Sequence, residues 1–195
     1  MRKISALCVF CGSRVGSRPV YGAAAMELGS LLAKKKIQLV YGGGNVGLMG
    51  KVADSCMAAG GEVIGIIPTA LFEKEHGHRG LSRLEVVSTM HERKARMAAL
   101  ADGFIALPGG IGTFEELLEA LTWSQLGIHA KPVALVNVSG YFDPLLALLD
   151  SAVGQGFLGE EQRDLLLVAD HVQGIIDQML ELEFHPNISP TNMGI

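Results

Sequence analysis

The stretch Phe104-Ile105-Ala106-Leu107-Pro108-Gly109-Gly110-Ile111-Gly112-Thr113-Phe114-Glu115-Glu116 decides how the rest of the chain is read. Its first four residues are an apolar run of the kind that forms a fully buried strand. A helical segment follows over residues 113–126. Between them, glycines at positions 109, 110 and 112 leave backbone N–H groups uncovered by side chains. The start of the helix adds unpaired N–H groups and a partial positive charge, so the junction suits an anion such as phosphate. It is not a Walker A loop, because no Gly-Lys-Ser/Thr follows. Glu115 and Glu116 place two carboxylates in the first helical turn, where a bound anion alone would not want them. A phosphate cradle with an acid beside it points to chemistry near a phosphate rather than on it.

Outward from this junction the chain alternates between strands and helices. Strands are predicted over residues 4–11, 37–41, 63–67, 84–87, 104–107, 132–138 and 165–168. Helices are predicted from Pro19 to about 35, from 47 to 59, from 90 to 100, over 113–126, from Pro144 to 153 and over 172–182. Pro19 sits near a helix start and Gly60-Gly61 just past a helix end, as those residues prefer. Residues 72–83 form one long polar connection, of the kind that is usually functional or mobile. Apolar strands without alternation, separated by helices, imply a parallel sheet covered on both faces. The fold class is therefore α/β, a doubly wound, Rossmann-like sheet in a single domain over residues 1–183. Its ligand should bind past the carboxyl ends of the strands, where glycine-rich turns after the first, second and fifth strands converge. The tail over 184–195 carries two prolines and no periodicity, and is predicted to be loosely ordered.

Composition narrows the class further. Charged residues make up 18% of the 195 and hydrophobic ones 49%, which is apolar enough to suggest a buried subunit interface. A net charge of −4 argues against a nucleic-acid-binding surface. No apolar run is long enough to span a bilayer. Met1-Arg2-Lys3 and the apolar residues after it superficially match a secretory signal, but no small-residue cleavage pattern follows and a buried strand reads better. Cys8, Cys11 and Cys56 make no disulfide framework, and a cytoplasmic location fits. Cys8 and Cys11 form a CxxC, yet residues three apart on a strand face opposite sides, so buried thiols are expected.

Gly42-x-Gly44-x-x-Gly47 has the dinucleotide-binding spacing. The acid that would hold a ribose is missing: the third strand ends Ile66-Ile67-Pro68-Thr69-Ala70, and Glu62 lies at the wrong end of it. A NAD enzyme is therefore disfavoured. His76, His78 and His91 match no metal-ligand spacing, so no metal is expected. Arg93 and Lys94 fall in the first turns of a helix that starts at the ligand edge, where an arginine can fork onto phosphate or carboxylate. Thr89-Met90-His91-Glu92 reads as a capping box for that helix. Thr113 and Glu116 have the same spacing, and a cap is worth on the order of 1 kcal/mol. From the sequence alone, capping and catalysis account for Glu116 equally.

With these residues in view, Pro108-Gly109-Gly110-Ile111-Gly112-Thr113-Phe114-Glu115-Glu116 resembles the PGGxGTxxE signature of the LOG family. These are cytokinin riboside 5′-monophosphate phosphoribohydrolases, long mislabelled as lysine decarboxylases. Met90-His91-Glu92-Arg93-Lys94 resembles the family's second motif. Tyr41-Gly42-Gly43-Gly44-Asn45-Val46-Gly47-Leu48-Met49-Gly50, Cys11-Gly12-Ser13 and Thr122-Trp123-Ser124-Gln125-Leu126-Gly127 also match its pattern. The resemblance implies hydrolysis of the N-glycosidic bond of a nucleoside 5′-monophosphate, releasing base and ribose 5-phosphate. It implies a homodimer with no cofactor, with Arg93 and Glu116 as the catalytic pair. It assigns substrate contacts to Glu75, Arg93, Lys94, Gly110, Ile111, Gly112, Thr113, Phe114, Glu115, Glu116 and Thr122, with Ser13, Gly43 and Gly44 beside them. A nucleotide-binding sensor or carrier on the same fold is the alternative of a different class; the intact Arg93 and Glu116 argue against it.

Overall fold

The computed structural model describes residues 4–73 and 76–182. Seven strands form one sheet: β1 (Ala6–Phe10), β2 (Gln38–Tyr41), β3 (Val63–Pro68), β4 (Arg83–Val87), β5 (Gly103–Ala106), β6 (Val133–Val136) and β7 (Leu166–Ala169). Their order is β4-β3-β2-β1-β5-β6-β7, and every pairing is parallel. The sheet is thus doubly wound as expected. The chain moves outward from β1 to β4, then returns to the other side of β1 with β5. That reversal opens a crevice above the carboxyl ends of β1 and β5.

Among the described residues eight α-helices accompany the sheet: α1 (Pro19–Lys34), α2 (Gly47–Ala58), α3 (Thr69–Phe72), α4 (Met90–Leu100), α5 (Ile111–Gln125), α6 (Asp143–Gly154), α7 (Glu160–Arg163) and α8 (Val172–Glu181). Leu28 and Leu32 of α1, Val52 and Cys56 of α2, and Ile175 and Ile176 of α8 fill one face. Met97 of α4 and Leu117 and Leu121 of α5 fill the other, with Leu145, Leu146 and Leu149 of α6 packed against them. Every residue of β1, β3, β5 and β6 is buried, which is why these strands are apolar without alternation. Alternate residues of β1 serve opposite cores, so Cys8 and Cys11 point to different faces as predicted, and both are free thiols.

Three local features differ from the sequence reading. The helix expected from Thr113 begins at Ile111 instead. Thr is a preferred N-cap, but here Thr113 is buried inside the first turn at 4% exposure and Gly110 is the cap. The short helices α3 and α7 were not anticipated; four residues are too few to show a helical period. The long connection also carries an antiparallel bridge from Gly77 to Gly44. The tail expected over 184–195 lies outside the described residues.

Ile105 is fully buried in the centre of the sheet. Ile105→Ala is therefore expected to cost about 2–5 kcal/mol, seen as a lower urea midpoint with an unchanged slope. A shift under ~1 kcal/mol would show that this strand is not part of the cooperative core.

Candidate active site

Three turns meet above the β1–β5 reversal. The N–H of Gly12, just after β1, donates to the Pro108 carbonyl at 3.1 Å, and the Gly12 carbonyl accepts from Leu48 N–H at 2.9 Å. These bonds clamp the turns after β1 and β5 to each other and to the start of α2. They form one end of a cavity of about 290 Å³, lined by Ser13, by Gly110–Thr113 and by Arg93, Glu115 and Glu116. Met49, Leu71 and Met90 supply apolar wall.

The first helical hydrogen bond of α5 runs from Phe114 N–H to the Gly110 carbonyl at 3.1 Å. The N–H groups of Gly110, Ile111, Gly112 and Thr113 precede that ladder and have no intrahelical acceptor. Gly110 caps the helix with no side chain, so nothing covalent to the cap competes with an incoming anion for these donors.

Arg93 is 6% exposed. Its Nη2 lies 3.8 Å from Glu116 Oε1, and its Nη1 faces Met90 Sδ at 3.8 Å. The buried Nε has no hydrogen-bond partner. At 3.8 Å the pair is electrostatic contact rather than a hydrogen bond, so the guanidinium keeps donors to offer an oxygen-rich ligand. Gly42 makes the seat: a Cβ there would overlap Arg93 Nη2. The Cys11 thiol lies within the same field. Burial pushes its pKa up, the Glu116 charge adds to this and Arg93 opposes it, so the thiol stays protonated and inert.

Two devices hold Arg93 and Glu116 at this spacing. On α4, Glu92 N–H donates to Thr89 Oγ1 at 3.1 Å. The Glu92 carboxylate accepts from Ser88 N–H at 2.8 Å, one residue before the expected cap. Between the helices, Lys94 Nζ donates to Glu115, and to Glu119 at 2.9 Å. Burial alone would lower the Lys94 pKa, but these two carboxylates outweigh it and hold the pKa above its ordinary value. Lys94 is thus an ionised strap from α4 to α5.

A family model described as "Possible lysine decarboxylase" matches residues 49–179. The chain is 49% identical over 185 residues to the probable cytokinin riboside 5′-monophosphate phosphoribohydrolase LOGL1 of Oryza sativa subsp. japonica, covering 94% of this chain and 83% of that one. It is 48% identical to the cytokinin riboside 5′-monophosphate phosphoribohydrolase LOG7 of Arabidopsis thaliana, covering 91% and 82% of the two chains. The chain belongs to the LOG family. Among solved structures, the molybdenum cofactor binding protein of Rippkaea orientalis superposes with a TM-score of 0.68 at 26% identity, covering 91% of this chain and 96% of that one.

Of the residues that the LOG resemblance singled out, Ser13, Arg93, Gly110, Ile111, Gly112, Thr113, Glu115 and Glu116 converge on the cavity. Lys94 instead straps the helices. Phe114 lies behind the turn, stacked on Tyr141 at 6.5 Å and edge-on to Phe142 at 6.3 Å between ring centroids. The Gly43 carbonyl accepts from His78 N–H at 2.9 Å, and Gly44 pairs with Gly77, so both are turned to the long connection. Thr122 is farther down α5, its hydroxyl donating to the Leu118 carbonyl at 2.7 Å. Glu75 lies outside the described residues. Gly42, Met49, Leu71 and Met90 were not singled out. The first, second and fourth sit inside quoted motifs and could have been found there; Leu71 carries no signal. The capping alternative for Glu116 is corrected: Thr113 is the third residue of α5, not its cap, so Glu116 closes no box with it. Among the described residues no three His, Cys, Asp or Glu side chains are grouped to hold a metal ion.

Gly42→Ala is expected to move the guanidinium rather than the backbone, because Nη2 is the free end of a long side chain. The stability cost should stay within the ~1–3 kcal/mol of overpacking. A crystal structure of the variant checks this: an Arg93 displaced from Glu116 is expected, and an unmoved one refutes the seat.

Proposed function

We propose that the protein hydrolyses the N-glycosidic bond of nucleoside 5′-monophosphates carrying adenine or an N6-substituted adenine, releasing base and ribose 5-phosphate. The observation that carries this is the Arg93–Glu116 pair in a cavity whose neighbouring wall is the open N-terminus of α5. The activity for which relatives at 48–49% identity are named supports the same reaction.

In this reading the 5′-phosphate takes the N–H groups of Gly110–Thr113, which fixes the ribose beside the carboxylate. Breaking the C1′–N bond builds oxocarbenium-like positive charge on the sugar. Glu116 stabilises that charge and takes a proton from the attacking water, whose hydroxyl adds to C1′. The departing base leaves with the bonding pair and gains a proton. Arg93 lies beside Glu116 and binds substrate oxygens. Met49, Leu71 and Met90 offer the base an apolar, adaptable wall. Decarboxylation through a lysine Schiff base has no support: no lysine is among the described residues lining the cavity.

The reading includes a cytoplasmic homodimer. Three free cysteines suit a reducing compartment, and no helix of the described residues is long and apolar enough to cross a membrane. Ile111, Leu118 and Leu126, at 85%, 36% and 52% exposure, follow one side of α5 with Thr122 between them. A second copy covering this stripe would bring Thr122 against a partner. Sedimentation should give the mass of two chains, and Leu118→Glu should shift it towards one; a wild-type monomer removes this part of the reading.

A second reading, binding without turnover, is favoured by the structural likeness to a protein named for binding the molybdenum cofactor. Base release from AMP and from isopentenyladenosine monophosphate, side by side with no added metal, separates the two. Equimolar base and ribose 5-phosphate are expected, and the ratio of rates reports whether the N6 substituent is recognised. Glu116→Gln should lose about 10²-fold or more in rate. Binding without any release would favour the carrier.

A further inference from the structure

The turn Pro108–Gly110 is a partition. Behind it lies a second cavity of about 460 Å³, lined by Tyr21, Leu48, Pro108, Gly109 and Tyr141, which shares Gly12, Ser13 and Gly110 with the first. From this rear side the Tyr141 hydroxyl donates to the Gly109 carbonyl.

The Gly109–Gly110 peptide is trans, so its C=O and N–H point in opposite directions. A carbonyl drawn towards Tyr141 aims the Gly110 N–H the other way, into the first cavity beside the N–H groups of Ile111, Gly112 and Thr113. Glycine on both sides gives the peptide little steric preference between its two faces, and a Cβ on Gly110 would touch nothing within 4 Å. Without an anchor the peptide can turn over and present a carbonyl oxygen to the anion. Tyr141 is itself well held. Its ring meets Tyr21 edge-on at 5.7 Å and Phe142 at 5.0 Å. The buried Asn137 fixes the preceding turn, donating to Asp143 Oδ1 and accepting from Phe142 N–H, both at 2.7 Å.

We propose that Tyr141 is a positioning residue for the phosphate seat, its hydroxyl locking the Gly109–Gly110 peptide with the N–H towards substrate. Tyr141 touches no reacting atom and lies outside every motif quoted above. The inference rests on the phosphoribohydrolase reading, which supplies the phosphate.

The test is calorimetric titration of the full chain with ribose 5-phosphate and, separately, with adenine. Tyr141→Phe keeps the ring and removes the donor; Tyr21→Phe removes a hydroxyl from the same rear cavity and serves as control. Tyr141→Phe should weaken ribose 5-phosphate about tenfold, the scale of one hydrogen bond serving a charged group. Adenine affinity should stay unchanged, as should both affinities of Tyr21→Phe. In turnover, KM for the nucleotide should rise with kcat little altered. Wild-type affinity for ribose 5-phosphate in Tyr141→Phe overturns the proposal. So does an equal loss for ribose 5-phosphate and adenine, which would mark general loosening. If the wild type binds adenine but no ribose 5-phosphate, the phosphoribohydrolase reading itself fails.

Discussion

A guanidinium removed from water is the constraint to which the rest of the site is fitted. Burying a charge is tolerable only with compensation close by, and Arg93 at 6% exposure has Glu116 3.8 Å away for that purpose. The space it occupies exists because position 42 has no side chain. The spacing to Glu116 holds because Lys94 ties α4 to α5 through two carboxylates. The charge pair is therefore the product of three separate chain segments, and none of them positions it alone.

The same arrangement explains how positive and negative groups share one small cavity. The start of α5 is positive through its unpaired N–H groups, and Glu116 lies about one turn farther along the same helix. An anion held at the helix start and a cationic transition state held at the carboxylate are complementary to this dipole-like pattern. A phosphate ester of a sugar can supply both. Met49, Leu71 and Met90 line the same cavity with apolar surface.

Much of this is legible in the amino-acid sequence itself. The apolar runs of β1, β5 and β6, with no alternation, could only be strands buried on both faces, which made the sheet parallel and its ligand edge predictable. The glycines at 109, 110 and 112 marked the turn expected to receive an anion, and Arg93 and Glu116 stood out beside it. Glu116 itself was ambiguous, since the Thr113–Glu116 spacing is also that of a cap. Local spacing carries no record of where a helix begins when glycine precedes it, and the start at Ile111 removes the capping reading alone.

What the sequence determined by itself was the set of elements, their order and the chemical types at the site, because those depend on short-range periodicity and on which residues lack side chains. Tertiary structure decided which neighbours in the motifs share a cavity. Lys94 follows Arg93 directly, yet Lys94 turns to Glu115 and Glu119 while Arg93 turns to the crevice and Glu116, since adjacent helical residues face about 100° apart. Phe114 is likewise in the signature but behind the turn, where Tyr141 meets it. Leu71 and Tyr141 reach the turns from distant segments, and contacts between segments that far apart leave no spacing to read.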